Sequence, residues 1–119
     1  MEGTTAADLP DIKPHNKVCA PGKGAVIPFM DNSAIYNLEL LADIKRLATQ
    51  KGIKWQNKEF VAGGTDSGRI QTAVGGARVC TISAAVRYLH SANTVLHIPD
   101  MDCIASVVRE YLNYLGGNV

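Results

Sequence analysis

The chain has 119 residues, with 12 Lys or Arg against 11 Asp or Glu and a net charge of +1. That length bounds it to one domain, residues 1–119, large enough to bury a core. Near-neutral charge, with no basic block longer than Lys45-Arg46, excludes nucleic acid and anionic membrane surfaces as expected partners.

Residues 1–8 read as the tail of a strand, and 9–24, with Pro10, Pro14, Pro21, Gly22 and Gly24, as one long irregular loop. Such a loop is uncommon in a compact domain and is usually functional or mobile. A short apolar strand follows at 25–30, where Pro28 belongs at an edge or bulge because it cannot donate to a ladder. Leu40, Leu41, Ile44, Leu47 and Ala48 recur at helical spacing, with Asn37 as N-cap and Gly52 as stop. Residues 53–60 alternate as a strand with one wet face. The turn Gly63-Gly64-Thr65-Asp66-Ser67-Gly68 opens a short helix running to Gly75, with Asp66 as its N-cap. Arg78 to Ser83 reads as another strand. A final helix starts near Pro99-Asp100, stops at Gly116-Gly117, and carries Ile104, Val107, Val108, Tyr111, Leu112 and Leu115 as one apolar stripe. Alternating strands and helices predict an α/β layer structure, a mixed sheet flanked by helices.

Chemistry concentrates after the Val79–Ile82 run, where Arg87, Tyr88, His90 and Ser91 fall within five positions. A buried strand delivering polar side chains at its carboxyl end is a common place for a site in open α/β sheets. The plainer alternative is a solvated loop with a surface histidine. Neither glycine-rich turn is a phosphate loop: Pro21-Gly22-Lys23-Gly24 lacks the spacing, and Asp66 in the other would repel a phosphate. Gly63 and Gly64 serve either a turn needing positive φ or a close backbone approach to a ligand. Asp31, Glu39, Asp43, Glu59, Asp100, Asp102 and Glu110 are read as turn, cap or helix-surface carboxylates, leaving no acidic pair to act as a base. Cys19, Cys80 and Cys103, odd in number and without a CxxC, point to reduced thiols in a cytoplasmic protein and away from a cysteine zinc site. The apolar runs are too short for a membrane span, and residues 1–5 do not resemble a secretory leader.

Four segments together resemble the carboxyl-terminal part of the catalytic domain of tetrahedral dinuclear metallo-aminopeptidases, metallopeptidase family 42. They are Glu2-Gly3-Thr4-Thr5-Ala6-Ala7-Asp8-Leu9-Pro10; Gly22–Ile27 with Asp31-Asn32-Ser33; Gly63-Gly64-Thr65-Asp66-Ser67-Gly68-Arg69-Ile70; and Arg87-Tyr88-Leu89-His90-Ser91. Two positions depart from the family pattern: Asp11 replaces the glycine that usually follows the Asp-x-Pro segment, and Ala85 stands near where a proline commonly precedes the Arg-Tyr.

The resemblance implies the carboxyl-terminal portion of a zinc-peptidase-like three-layer fold, carrying two divalent metals, zinc or cobalt. His90 matches a ligand of one metal and Glu2 an acidic ligand of the other, both facing a common pocket. Gly63, Gly64, Thr65 and Asp66 shape the substrate cleft, and Arg87 and Tyr88 support the loop carrying His90 within it. A peptide is the implied substrate of the complete enzyme. The family's upstream His-x-Asp segment, bridging aspartate and Glu-Glu pair have no counterpart here, so the chain alone is expected to be silent and to bind metal weakly or not at all. A complementing amino-terminal portion or a homo-oligomer is the expected partner. The alternative is a non-enzymatic binding or assembly module that keeps the peptidase fold.

Overall fold

The computed structural model describes residues 1–117. Its elements are strand β1 (Glu2–Thr5), strand β2 (Ala25–Val26), helix α1 (Leu38–Gln50), strand β3 (Trp55–Gln56), helix α2 (Ser67–Thr72), strand β4 (Ser83–Arg87), strand β5 (Val95–Leu96) and helix α3 (Ile98–Gly116). A single 3-10 turn, Pro14–Asn16, interrupts the long loop.

β4 is the centre of the sheet. On one edge it pairs in parallel with β1, Glu2 opposite Ser83 through Thr5 opposite Val86. Its other edge takes β2 antiparallel at Ser83 and β5 antiparallel at Val86 and Arg87. β3 then runs parallel to β2. The expected mixed sheet with flanking helices is therefore present.

Successive strand residues point to opposite faces, and the two faces are covered differently. Ala25, Ala84 and Val86 meet Leu41 and Ile44 of α1 and Ile104 and Val107 of α3 in the main core. Full burial of a branched side chain such as Ile104 contributes about 1.5–3 kcal/mol. On the other face Val26 and Ala85 pack with Ala6, just after β1, and with Val18 and Cys19 of the long loop. That loop is thus part of the core wall and not a free segment. It is pinned at several points. Gln56 donates to the Ala20 and Gly24 carbonyls and accepts from the Ala20 amide. Gly24 has φ +87, and a Cβ there would lie 2.1 Å from the Lys54 carbonyl oxygen, so only glycine lets β2 and β3 close.

The helices form where their periodicity places them. Asn37 caps α1 by accepting from the Leu40 amide at 2.9 Å, and Gly52 ends it at φ +66. Strand bounds differ from the sequence reading. β2 stops at Val26 and not Met30: the Ile27 amide still reaches the Gln56 carbonyl, but Pro28 has no N–H to continue. β3 keeps two of the eight expected residues. The strand expected at 78–83 lies at Ser83–Arg87, because the partner β1 selects that register, while Val79 to Ile82 lead in as buried or half-buried chain. β5, two residues long, gave no usable period. α2 ends at Thr72, short of Gly75, and the Asp66 side chain does not cap it; the Asp66 carbonyl accepts from Arg69 and Ile70 instead. The single stripe expected on α3 also divides, since Leu112 and Leu115 are exposed.

Candidate active-site pocket

A pocket of about 370 Å³ opens along β1, where the chain between β2 and α1, the turn before α2 and the turn after β4 converge. Glu2, Gly63, Gly64, Thr65 and His90 all line it. Residues remote in sequence, Glu2 and His90 among them, are thereby placed on one cavity by the β1–β4 pairing.

Asp31, expected from sequence to be a turn, cap or surface carboxylate, and Tyr36, which sequence reading passed over, organise its floor. Asp31 is 3% exposed, and its carboxylate accepts five hydrogen bonds. Oδ1 takes the Ser33 amide at 2.6 Å, the Ser33 hydroxyl at 2.7 Å and the Ala34 amide at 2.9 Å. Oδ2 takes the Tyr36 hydroxyl at 2.6 Å and the Thr65 hydroxyl at 2.7 Å. Burial alone would raise this carboxyl, but the Tyr36, Ser33 and Thr65 hydroxyls outweigh it and hold it well below the usual carboxylate range. So Asp31 is not a free turn carboxylate. It is an ionised hub, too weak a proton acceptor to serve as a base at neutral pH. Tyr36, 2% exposed, has its hydroxyl pushed up by burial and then by the bond to Asp31.

Thr65 extends the network to Ser67, to Thr81 at 3.4 Å, and to Ser33 through backbone and side chain. The two glycines before it differ in what they require. Gly63 has φ +71, and Gly64 approaches Ser33, where a Cβ would meet the Ser33 Cβ at 3.4 Å. Lys58 also lines the pocket, its ammonium donating to the Ala62 carbonyl at 2.5 Å and held below its ordinary value by burial.

His90 is carried by a strained turn. Tyr88 (φ 60) and His90 (φ 64) both stand in the left-handed region, at a cost of about 1–3 kcal/mol each. The Ser91 amide and hydroxyl close the turn on the Tyr88 carbonyl at 3.1 and 2.6 Å. Not every expected site residue reaches this pocket. Arg87 is engaged by Asp8 in a two-pronged ion pair, Nε–Oδ1 2.9 Å and Nη2–Oδ2 2.8 Å, which ties the chain just before the long loop to β4. The Arg87 guanidinium holds the Asp8 carboxyl below its ordinary value. Tyr88 is 54% exposed, and Asp66 lines a neighbouring groove of about 500 Å³ with Ile70, Cys80 and Tyr111.

The donor set bears on metal chemistry. Glu2 and His90 are the uncommitted acid and imidazole on this pocket, and Asp31 is spent on its five donors. Among the described residues no group of three or more His, Cys, Asp or Glu could hold an ion. Catalytic zinc takes three protein ligands, so these side chains do not by themselves fit a complete divalent-metal centre. Among the described residues, too, no helix is long and apolar enough to cross a membrane.

Comparison with known proteins follows the same geometry. The curated "Putative aminopeptidase FrvX" of Escherichia coli is 25% identical over 115 residues, covering 97% of this chain and 32% of its own length. A "Putative aminopeptidase" of Acetivibrio thermocellus is 31% identical, covering 92% and 33%. The chain therefore spans about a third of the length of the curated relatives it matches. Among solved structures, a TET aminopeptidase from a marine sediment archaeon of the Thaumarchaeota superposes with TM-score 0.86 at 32% identity, over 92% of this chain and 30% of that one. The TET1 peptidase of Pyrococcus horikoshii, which can assemble into a tetrahedron or a large octahedral shell, gives TM-score 0.74 at 28% identity, over 92% and 31%. The model of one family, M42 glutamyl aminopeptidase, matches residues 1–107, and the chain belongs to that family.

Proposed function

We propose that these residues form one wall of a metal-dependent aminopeptidase centre that removes N-terminal residues from peptides. They correspond in this reading to the carboxyl-terminal part of the catalytic domain. Glu2 and His90 each contribute one ligand, to two different divalent ions, zinc or cobalt. Gly63, Gly64 and Thr65 form the floor under the peptide. Asp66 orients the start of α2 beside that floor, and Arg87 and Tyr88 hold the His90 turn in place. Further ligands and the general base come from outside this wall, so the chain by itself does not turn over substrate. Self-association belongs to the same reading, supported by the assemblies of the P. horikoshii TET1 peptidase. The three free cysteines suit a reducing compartment, and we place the protein in the cytoplasm.

One observation carries the reading: Glu2 and His90, remote in sequence, line a single pocket with the Gly63-Gly64-Thr65 turn. Calorimetric titration with Zn²⁺ or Co²⁺ tests it, alongside aminoacyl-p-nitroanilide hydrolysis. Weak binding that falls in both Glu2→Gln and His90→Ala, with no hydrolysis, is expected. Binding unchanged in both variants removes the ligand assignment. Hydrolysis lost on His90→Ala would overturn the silence of the isolated chain.

A further inference from the structure

Helix α3 has two apolar faces. One, through Ile104 and Val107, is buried against the sheet. The other carries Ile98, Met101, Ala105, Leu112 and Leu115, with Val108 at its edge, half-buried against the main core; their alternating three- and four-residue steps are the a/d spacing of a two-helix seam. Ile98 and Leu112 are 69% and 60% exposed, Met101 and Leu115 44% and 45%. Helix α1 does not cover this side; it meets α3 elsewhere, through Lys51–Glu110 at 3.3 Å and Arg46 over the Tyr114 ring. Single exposed apolar residues are ordinary, but a continuous stripe along a helix marks an interaction surface.

Charge specifies the occupant. Asp102 and Arg109 each follow a seam residue directly, and both are exposed. Among the described residues neither forms a salt bridge. In an antiparallel pairing of two α3 helices, one register sets Ile98 against Leu115, Met101 against Leu112 and Ala105 against Val108 of the second copy. That same register brings Asp102 of each copy beside Arg109 of the other, whereas a parallel pairing offers Arg109 no carboxylate. A self-complementary patch of this kind is what two-fold symmetry requires.

We propose that the outer face of α3 is a self-association surface on which a second copy of this chain docks antiparallel, with two Asp102–Arg109 ion pairs closing its rim. This adds a specific surface to the self-association reading above. The two can fail separately.

Sedimentation velocity of the full chain decides it, with circular dichroism to check that these exposed substitutions keep the fold. The wild-type chain dimerises. Asp102→Arg and Arg109→Asp, each alone, turn both ion pairs repulsive and weaken the dimer about tenfold or more. An equimolar mixture of the two variants recovers it, because each mixed pair again joins opposite charges. Leu112→Glu removes the dimer. A wild-type monomer at all concentrations overturns the proposal, as does association unchanged in either charge variant. Failure of the mixture to recover overturns the antiparallel register. An oligomer that persists in Leu112→Glu refutes the α3 seam and leaves self-association through another surface standing.

Discussion

Replacing Asp31 with alanine removes the acceptor on which the pocket floor converges. The Tyr36 and Thr65 hydroxyls and the Ser33 and Ala34 amides all lose their bond to it. A buried donor left without a partner costs about 1–3 kcal/mol, and entry of water into the vacated space recovers part of that. The expected net loss is about 3–5 kcal/mol, a large share of the roughly 5–15 kcal/mol that holds a domain of this size. In melting temperature that is a drop of roughly 10–20 °C. Chemical denaturation and thermal melting both read it. The charge has a separate signature. A carboxylate whose folded value is depressed stabilises the fold above its unfolded value, here 3.8, and that stability is lost progressively as pH falls below it. Asp31→Asn is accordingly less stable than wild type at neutral pH, and the gap narrows on acidification. A loss below about 1 kcal/mol in Asp31→Ala, or a gap independent of pH in Asp31→Asn, would refute the hub.

Asp100→Ala frees the Gly22 and Gly24 amides, which the buried Asp100 carboxylate accepts at 2.7 and 2.9 Å. Amide hydrogen exchange at those two glycines is expected to quicken at least tenfold while α1 amides hold; uniform acceleration would mean that the clamp is not local. Burial pushes the Cys19 thiol up to about 12 and the Cys80 thiol up to about 11. Both should react with a disulfide reagent at pH 8 far more slowly in the folded chain than in denaturant, the gap shrinking as pH rises. Equal rates in the two states would show that neither thiol is shielded.

Sequence alone determined what is local or motif-borne. Leu41, Ile44 and Leu47 repeat with the period of a helix, and Asn37 and Gly52 bound it, so α1 was legible to within a residue. The four segments that resemble the peptidase family were likewise readable, because they are short and contiguous. Tertiary structure alone decided the strand bounds, since β2, β3 and β5 are too short to show a period and the β1 partner chooses the β4 register. It alone turned Asp31 and Asp100 from apparent surface carboxylates into buried hubs. Thr65 lies 34 residues from Asp31, and Gly22 lies 78 from Asp100. No local pattern records where a folded chain will bring such distant donors, and a carboxylate is worth burying only where they arrive.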